Sequence, residues 1–394
     1  MNSRKRLAIV AIATSALFLS TTPAFANQSL NGSGATFALP LIDACKADFT
    51  KDKGHTINYP GGGSGKGRTD FANNLVDFAG SDAAYTVGAP SNLIYAPIYA
   101  APIAIMYNLP TVKESIYLTP ATLAGIFGGR ITNWNDPAIA ADNERTVKTP
   151  IYQTKKVTKT VKGKKVTRTV PVLDQNGKAV VKSISTKTVN IDLPKQDITV
   201  WYRSESSGTS ENFTRFLKEA NALNGDTKLW PRTQNGVFSS ATPTGVTALF
   251  NFQGASGSAA VAAGAAGKVG SIAYSEVSFA TDNKLPVANI QNANGEFTAP
   301  TAAGTSIFLG GGTINENGIV TPDFQKKIPG AYSLGTTSYG LAYSSGKNAA
   351  KQAAVAEWFT YVLTQCATKY PEKGFAQITG PLADKAKEQI AKIK

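Results

Sequence analysis

One guanidinium, Arg203, and the hydroxyls of Ser206, Ser207 and Thr209 stand together at one junction in the short stretch Tyr202-Arg203-Ser204-Glu205-Ser206-Ser207-Gly208-Thr209-Ser210. Arg203, Ser206, Ser207 and Thr209 can all donate hydrogen bonds to oxygen, so the chemistry on offer is the holding of an oxyanion. Before them, Ile198-Thr199-Val200-Trp201-Tyr202 is β-branched and aromatic enough for a strand. After them, Phe213, Phe216 and Leu217 fall on one face of a helix. A strand that turns into a helix at this point leaves the first helical N–H groups unpaired and presents the positive end of the helix dipole, which suits an anion. The same residue types also serve as an ordinary N-cap, so this stretch alone leaves both uses open.

Two further turns repeat the pattern. Gly32-Ser33-Gly34-Ala35-Thr36-Phe37 precedes a helical spacing of Leu41, Ile42, Cys45 and Phe49, and Pro60-Gly61-Gly62-Gly63-Ser64-Gly65 follows the strand-like Thr56-Ile57-Asn58-Tyr59. A helix is expected over Thr69 to Leu75, and a short strand, Val76 to Gly80, ends at Ser81-Asp82. Strand, Gly-rich turn and helix in alternation predict an α/β sheet with its ligand at the carboxyl ends of the strands. The apolar run Ile94 to Tyr107 is expected to form two buried strands that carry the chain into a second domain. The Gly-rich loop is not a P-loop, because Pro60 and Gly67 stand where Gly and Ser or Thr are required.

The chain of 394 residues is long enough for two domains. Arg4, Lys5 and Arg6, an apolar run from Leu7 to Leu19 and Ala24-Phe25-Ala26 read as a signal peptide over residues 1–26, cleaved before Asn27. The expectation is an exported protein, periplasmic or extracellular and cell-surface associated. In that oxidising setting the two cysteines, Cys45 and Cys366, can pair and tie the two ends of the chain together, or remain buried thiols. With a single histidine, His55, there is little material for a zinc site or a Ser-His-Asp triad; His55 sits in a polar turn and is expected to be solvated.

Between about Thr146 and Gln196 the composition changes to Lys/Thr/Val alternation around Gly turns, read as an exposed β-hairpin or three-strand meander. Residues 151–197 hold eleven Lys and Arg against three acids, a net +8 out of the formal +14 of the whole chain. The basicity is thus concentrated in one insertion. Lysines there can simply protect strand edges, or the segment can meet an acidic surface.

Taken together, Gly32 to Pro40, Tyr59 to Gly65, Val76 to Asp82, Leu123 to Trp134, Arg203 to Ser210 and Gly270 to Tyr274 resemble the phosphate-binding proteins of the bacterial high-affinity phosphate ABC transporter. The resemblance implies an α/β, two-lobed periplasmic-binding-protein fold of type II, with the basic segment inserted. It implies phosphate held in the cleft by Thr36, Phe37, Ser64, Asp82, Arg203, Ser207, Gly208 and Thr209, delivery to a membrane ABC permease, and no chemistry performed. No cofactor, metal or nucleic acid is implied, and the chain is taken as a monomer. One lobe is expected to combine residues 27–106 with 335–394, the other to hold 107–334 with the insertion at 146–197.

Asp82 carries its own physical argument. A carboxylate facing an anion is repulsive unless that anion brings a proton to donate, as phosphate does near neutral pH and sulfate does not. The family usually places Asp two residues after the arginine, where this chain has Glu205 as the supporting partner of Arg203. Lys66 and Arg68 beside the second turn either steer anions or face solvent. Three other functions stay open: a phosphatase, for which no nucleophile or metal cluster is seen, an interaction protein working through the insertion, and a binder of another oxyanion.

Overall fold

The computed structural model describes residues 27–161, 164–222, 228–346 and 348–394, so the expected signal peptide at residues 1–26 lies outside the described residues. From Asn27 onward the chain alternates strand and helix: β1 (Ser29–Gly34), α1 (Leu39–Lys53), β2 (Thr56–Asn58), α2 (Ser64–Ala72), β3 (Phe78–Ser81) and β4 (Leu93–Tyr107). Then come α3 (Pro120–Phe127) and α4 (Pro137–Asn143), followed by four strands of the insertion: β5 (Arg145–Tyr152), β6 (Thr154–Val161), β7 (Lys164–Pro171) and β8 (Val181–Val189). Alternation resumes with β9 (Thr199–Arg203), α5 (Gly208–Ala222), β10 (Phe252–Ala255), α6 (Ser258–Ala266), β11 (Ser271–Glu276) and α7 (Val277–Asp282). The last long elements are β12 (Gly335–Tyr343), α8 (Ala349–Tyr361) and α9 (Gly380–Ile390).

Eight strands share one sheet in the order β10-β9-β11-β4-β12-β3-β1-β2. Each half repeats a device. Three parallel strands, β2-β1-β3 on one side and β10-β9-β11 on the other, are closed by an antiparallel strand, β12 or β4. Parallel strands need crossover helices, and α1, α2, α5 and α6 supply them, so their N-termini gather where β1, β2, β9 and β10 end.

The apolar run Leu93 to Tyr107 is one strand, where two were expected. Residues 93–102 pair with β12 and residues 103–107 with β11, so the strand keeps a partner along its whole length and has no reason to break. Its prolines sit where they do little harm: Pro97 lies beside an irregularity in the β12 register, and Pro102 is the last residue before the change of partner. Both faces are covered, which is why the strand shows no alternation.

His55 is buried, contrary to expectation. Its Nδ1 accepts the Gln28 N–H at 2.9 Å, and its ring lies 6.0 Å from that of Phe49, so it closes the start of β1 onto α1. The Lys-Gly-His-Thr turn gives no local sign of that distant amide.

Cys45 on α1 and Cys366 beyond α8 are joined in a disulfide, with Cα atoms 5.7 Å apart and 321 residues between them. A bridge over so long a span removes much of the unfolded chain's freedom. The pair Cys45→Ala and Cys366→Ala should therefore lower stability in urea by up to about 5 kcal/mol, with phosphate affinity little changed. A loss below about 1 kcal/mol would mean the bridge constrains little that the packing does not.

Glu276 ends β11 fully buried and caps α7, its Oε1 accepting the Ser278 N–H at 2.9 Å. Burial pushes its carboxyl up to about 8. A folded-state value above the unfolded one means stability is complete below about pH 4.5 and is lost as pH rises through 8, by no more than about 5 kcal/mol. Thermal unfolding should show the native protein weakening between pH 5 and 9, and Glu276→Gln weakening distinctly less over the same range.

Candidate anion-binding site

At the end of β1 the chain turns at Gly34, whose φ of +132° and position against Gly80 leave no space for a side chain; an added Cβ would lie 2.0 Å from the Gly80 carbonyl oxygen. The turn delivers Thr36 and Phe37 ahead of α1. Phe37 is fully buried, its ring edge-on to Phe375, so the backbone beside it is held firmly. After β2, Ser64 is the first residue of α2, not part of a preceding loop as the expected helix over 69–75 had it. Its Oγ accepts the Asp82 N–H at 3.1 Å.

From the other half, Ser207 caps α5: its Oγ accepts the Ser210 N–H at 3.2 Å and its carbonyl accepts from Glu211. Gly208 and Thr209 follow, with the two N–H groups that a helix cannot pair for itself. The two halves are in contact here. Gly65 N–H donates to the Ser206 carbonyl at 3.0 Å, and Thr209 Oγ1 donates to Asp82 Oδ2 at 3.1 Å. At Gly208 an added Cβ would stand 2.6 Å from Ser64 Oγ and 2.7 Å from Asp82 Cβ. Gly208→Ala should therefore hold the halves apart and weaken anion binding by about a hundredfold or more in calorimetry, while leaving the unfolding temperature of the ligand-free protein within a few degrees.

Asp82, just beyond β3, is the centre of this arrangement. Its Oδ1 accepts from Ser338 Oγ at 2.8 Å, and its Oδ2 faces Ser64 Oγ at 3.4 Å as well as Thr209. Complete burial pushes its carboxyl above the usual range, against the pull of the Ser338 hydroxyl and the Arg203 charge.

Arg203, at the carboxyl end of β9, is 2% exposed. Its Nε donates to Glu205 Oε1 at 2.6 Å, its Nη2 turns to the same oxygen, and its Nη1 donates to Ser258 Oγ at 3.0 Å. Glu205 Oε1 also accepts the Gly257 N–H at 3.1 Å, so the longer carboxylate still pairs with the guanidinium and ties the β9 turn to the β10 turn. Its other oxygen, Oε2, is buried with no hydrogen-bond partner among the described residues.

Seven of the eight residues expected from the resemblance meet at this junction through side-chain or helix-end geometry, and Phe37 follows Thr36 in the chain with its ring buried against Phe375. Three others were not foreseen. Ser258 opens α6 and reaches across the cleft, its N–H donating to Thr36 Oγ1 at 3.1 Å and its Oγ 3.2 Å from the same atom. Ser338 comes from β12, and Asn212 Nδ2 donates to the Asp82 carbonyl at 2.6 Å. Gly254-Ala255-Ser256-Gly257-Ser258 before an alanine helix repeats the Gly/Ser turn and could have flagged Ser258; nothing local flags Ser338.

Lys66 and Arg68 are engaged locally. Lys66 pairs with Asp70 at 2.5 Å, and Arg68 donates to Ser81 Oγ and the Ala83 carbonyl, both at 3.1 Å, bracing the segment that carries Asp82. Among the described residues no group of acids, histidines or cysteines could hold a metal ion.

Four helix N-termini, a buried guanidinium and six hydroxyls thus surround one point that also holds a carboxylate. Comparison with known proteins agrees with that geometry. Residues 20–365 match the PBP superfamily domain. Phosphate-binding protein PstS 2 of Mycobacterium tuberculosis is 31% identical over 350 residues, covering 83% of this chain and 77% of that protein. PstS 3 of the same organism is 30% identical over 308 residues, covering 74% of this chain and 66%, just under two thirds, of the relative. The solved structure of PfluDING, a high-affinity periplasmic phosphate-binding protein bound with phosphate, has the same fold, with a TM-score of 0.63, 20% identity, and coverage of 91% of this chain and 93% of that one. The chain belongs to the PBP superfamily, among the PstS-type phosphate-binding proteins.

Proposed function

We propose that this protein captures inorganic phosphate in the cleft between its two lobes and delivers it to an ABC-type phosphate permease. The observation that carries the reading is the pairing of donors with one acceptor. N–H groups and hydroxyls from α1, α2, α5 and α6 together with Arg203 suit the oxyanion, and buried Asp82 suits its remaining proton. Thr36, Phe37, Ser64, Asp82, Arg203, Ser207, Gly208 and Thr209 are the proposed ligands, with Glu205 holding Arg203 in place.

The reading makes the chain a carrier and not an enzyme, acting as an exported monomer in the periplasm or at the cell surface. One lobe comprises residues 27–106 and 335–394 and the other 107–334, closing around phosphate at the two crossings between them. The basic segment 151–197 meets an acidic surface. Among the described residues no helix is long and apolar enough to cross a membrane.

Calorimetric titration of the ligand-free protein with phosphate, and separately with sulfate, is the deciding experiment. Tight phosphate binding with at least about hundredfold preference over sulfate supports the reading. Equal binding of the two anions would make the site a general oxyanion binder, and no binding of either would end the proposal.

A further inference from the structure

The insertion is a projecting arm. Strand β5 pairs antiparallel with β8, and β6 with β7, each ladder being eight residues of β5 or β6 and so about 26 Å long. The two ladders follow one another, since Gln153 between β5 and β6 bonds to Val180 and Val172. Most of the arm's described residues from Ile151 to Thr188 are exposed, so it has no core of its own. It leaves the body between α4 and the amino end of β9, whereas Arg203 and the cleft lie at the carboxyl end of that strand.

Its pattern is more specific than its charge. In the β6–β7 register Lys155 lies opposite Val170 and Val157 opposite Arg168, so cation and valine alternate along and across one face. The register continues with Lys159 opposite Val166 and Val161 opposite Lys164. The other face holds Lys156 opposite Thr169, and Thr158 opposite Thr167 with their hydroxyls 2.8 Å apart. In the β5–β8 ladder a bulge at Lys182 places Tyr152, Val181 and Ile184 on a common face. Five of the twelve large apolar side chains left exposed among the described residues, Ile151, Tyr152, Leu173, Val181 and Ile184, belong to this one arm.

We propose that the arm lies on an anionic lipid bilayer, its lysines and arginines among the headgroup phosphates and its Val, Ile and Tyr side chains at the headgroup–acyl boundary. Charge complementarity selects an acidic partner, and the apolar residues interleaved with the cations select among acidic partners. A soluble polyanion or acidic polysaccharide would engage the cations and leave the apolar side chains in water; a bilayer surface takes both. The root of the arm, opposite the cleft, leaves the phosphate site open while the arm is bound. The inference rests on the acidic contact in the reading above and is independent of phosphate capture.

The test is co-sedimentation of the chain from Asn27 to Lys394 with vesicles of phosphatidylglycerol and phosphatidylcholine, against phosphatidylcholine alone, at physiological salt, with and without phosphate. Binding to dextran sulfate, a polyanion without acyl chains, runs in parallel. Two variants are compared: Lys155→Glu with Lys156→Glu, Lys165→Glu and Arg168→Glu, and Tyr152→Ser with Val181→Ser and Ile184→Ser. Cooperative thermal unfolding reports that each is folded whether or not phosphate binds. The proposal expects at least tenfold preference for anionic vesicles, lost in the charge variant. It also expects a three- to tenfold loss on vesicles in the apolar variant, with dextran sulfate binding unchanged. Native protein that binds dextran sulfate but not vesicles, an apolar variant indistinguishable from native on vesicles, or binding to neither surface would each overturn it.

Discussion

Asp82→Asn should bind phosphate about tenfold more weakly and sulfate about tenfold more tightly, so that the preference between them falls roughly a hundredfold, equivalent to about 3 kcal/mol. In the native protein Asp82 can accept the proton that phosphate carries; facing sulfate it would set acceptor against acceptor in a buried site, where neither group is hydrated. An amide replaces that repulsion with a donor. The same variant has a signature without any ligand. Burial raises the Asp82 carboxyl in the folded protein above its unfolded value of 3.8, so its contribution to stability is complete below that pH and declines as pH rises through the folded value. Ligand-free Asp82→Asn should therefore unfold at a higher temperature than native protein at pH 7 to 8, and the two should converge near pH 3 to 4. Calorimetric titration and thermal unfolding measure the two halves separately. Unchanged discrimination, with only the stability shift present, would leave Asp82 as a strained structural residue and not a selector.

Arg203→Ala is expected to lower phosphate affinity by a thousandfold or more and to destabilise the fold by about 3 to 5 kcal/mol. The guanidinium is almost fully buried, bonded to both Glu205 and Ser258. Its removal abandons a partly buried carboxylate that already has one oxygen unpaired. The two losses are separable. Arg203→Ala with Glu205→Gln should recover most of the stability in urea unfolding and none of the affinity. Arg203→Lys, a point charge without the planar fork, should keep the fold and lose at least tenfold in affinity. If the double variant bound phosphate as the native protein does, the arginine would be a scaffold for Glu205 and not a ligand.

Much of this site was legible because three of its four turns announce themselves locally. Gly34-Ala35-Thr36, Gly63-Ser64-Gly65 and Ser207-Gly208-Thr209 each lead into a helical pattern, and the last two also follow a β-branched or aromatic run. The fourth turn was hidden by its strand. Phe252-Gln253-Gly254-Ala255 has no β-branched residue and only four positions, and it is a strand because β9 lies parallel beside it. Ser338 was illegible for a different reason: it reaches Asp82 across 256 residues through the register of β12 on β3 and β4, which one sequence does not encode visibly. His55 shows the same limit in reverse, since a polar neighbourhood in sequence became a buried one through the amide of Gln28. The insertion was legible as hairpins because Lys/Thr/Val alternation needs no tertiary partner to be read.

The unbroken β4 has a mechanical meaning. Because one strand belongs to both halves of the sheet, sliding the halves past one another or separating them would tear ladder bonds, and the closure proposed above is left as a swing about a line crossing that strand. The line of least resistance runs at the change of partner, between Pro102 and Ile103. Pro102 has no N–H to surrender there, while Ile103 N–H is bonded to Leu334 just before β12 begins. Under the closure proposed above, a strand shared in this way would return the lobes to one alignment, with Gly208 against Ser64 and Asp82.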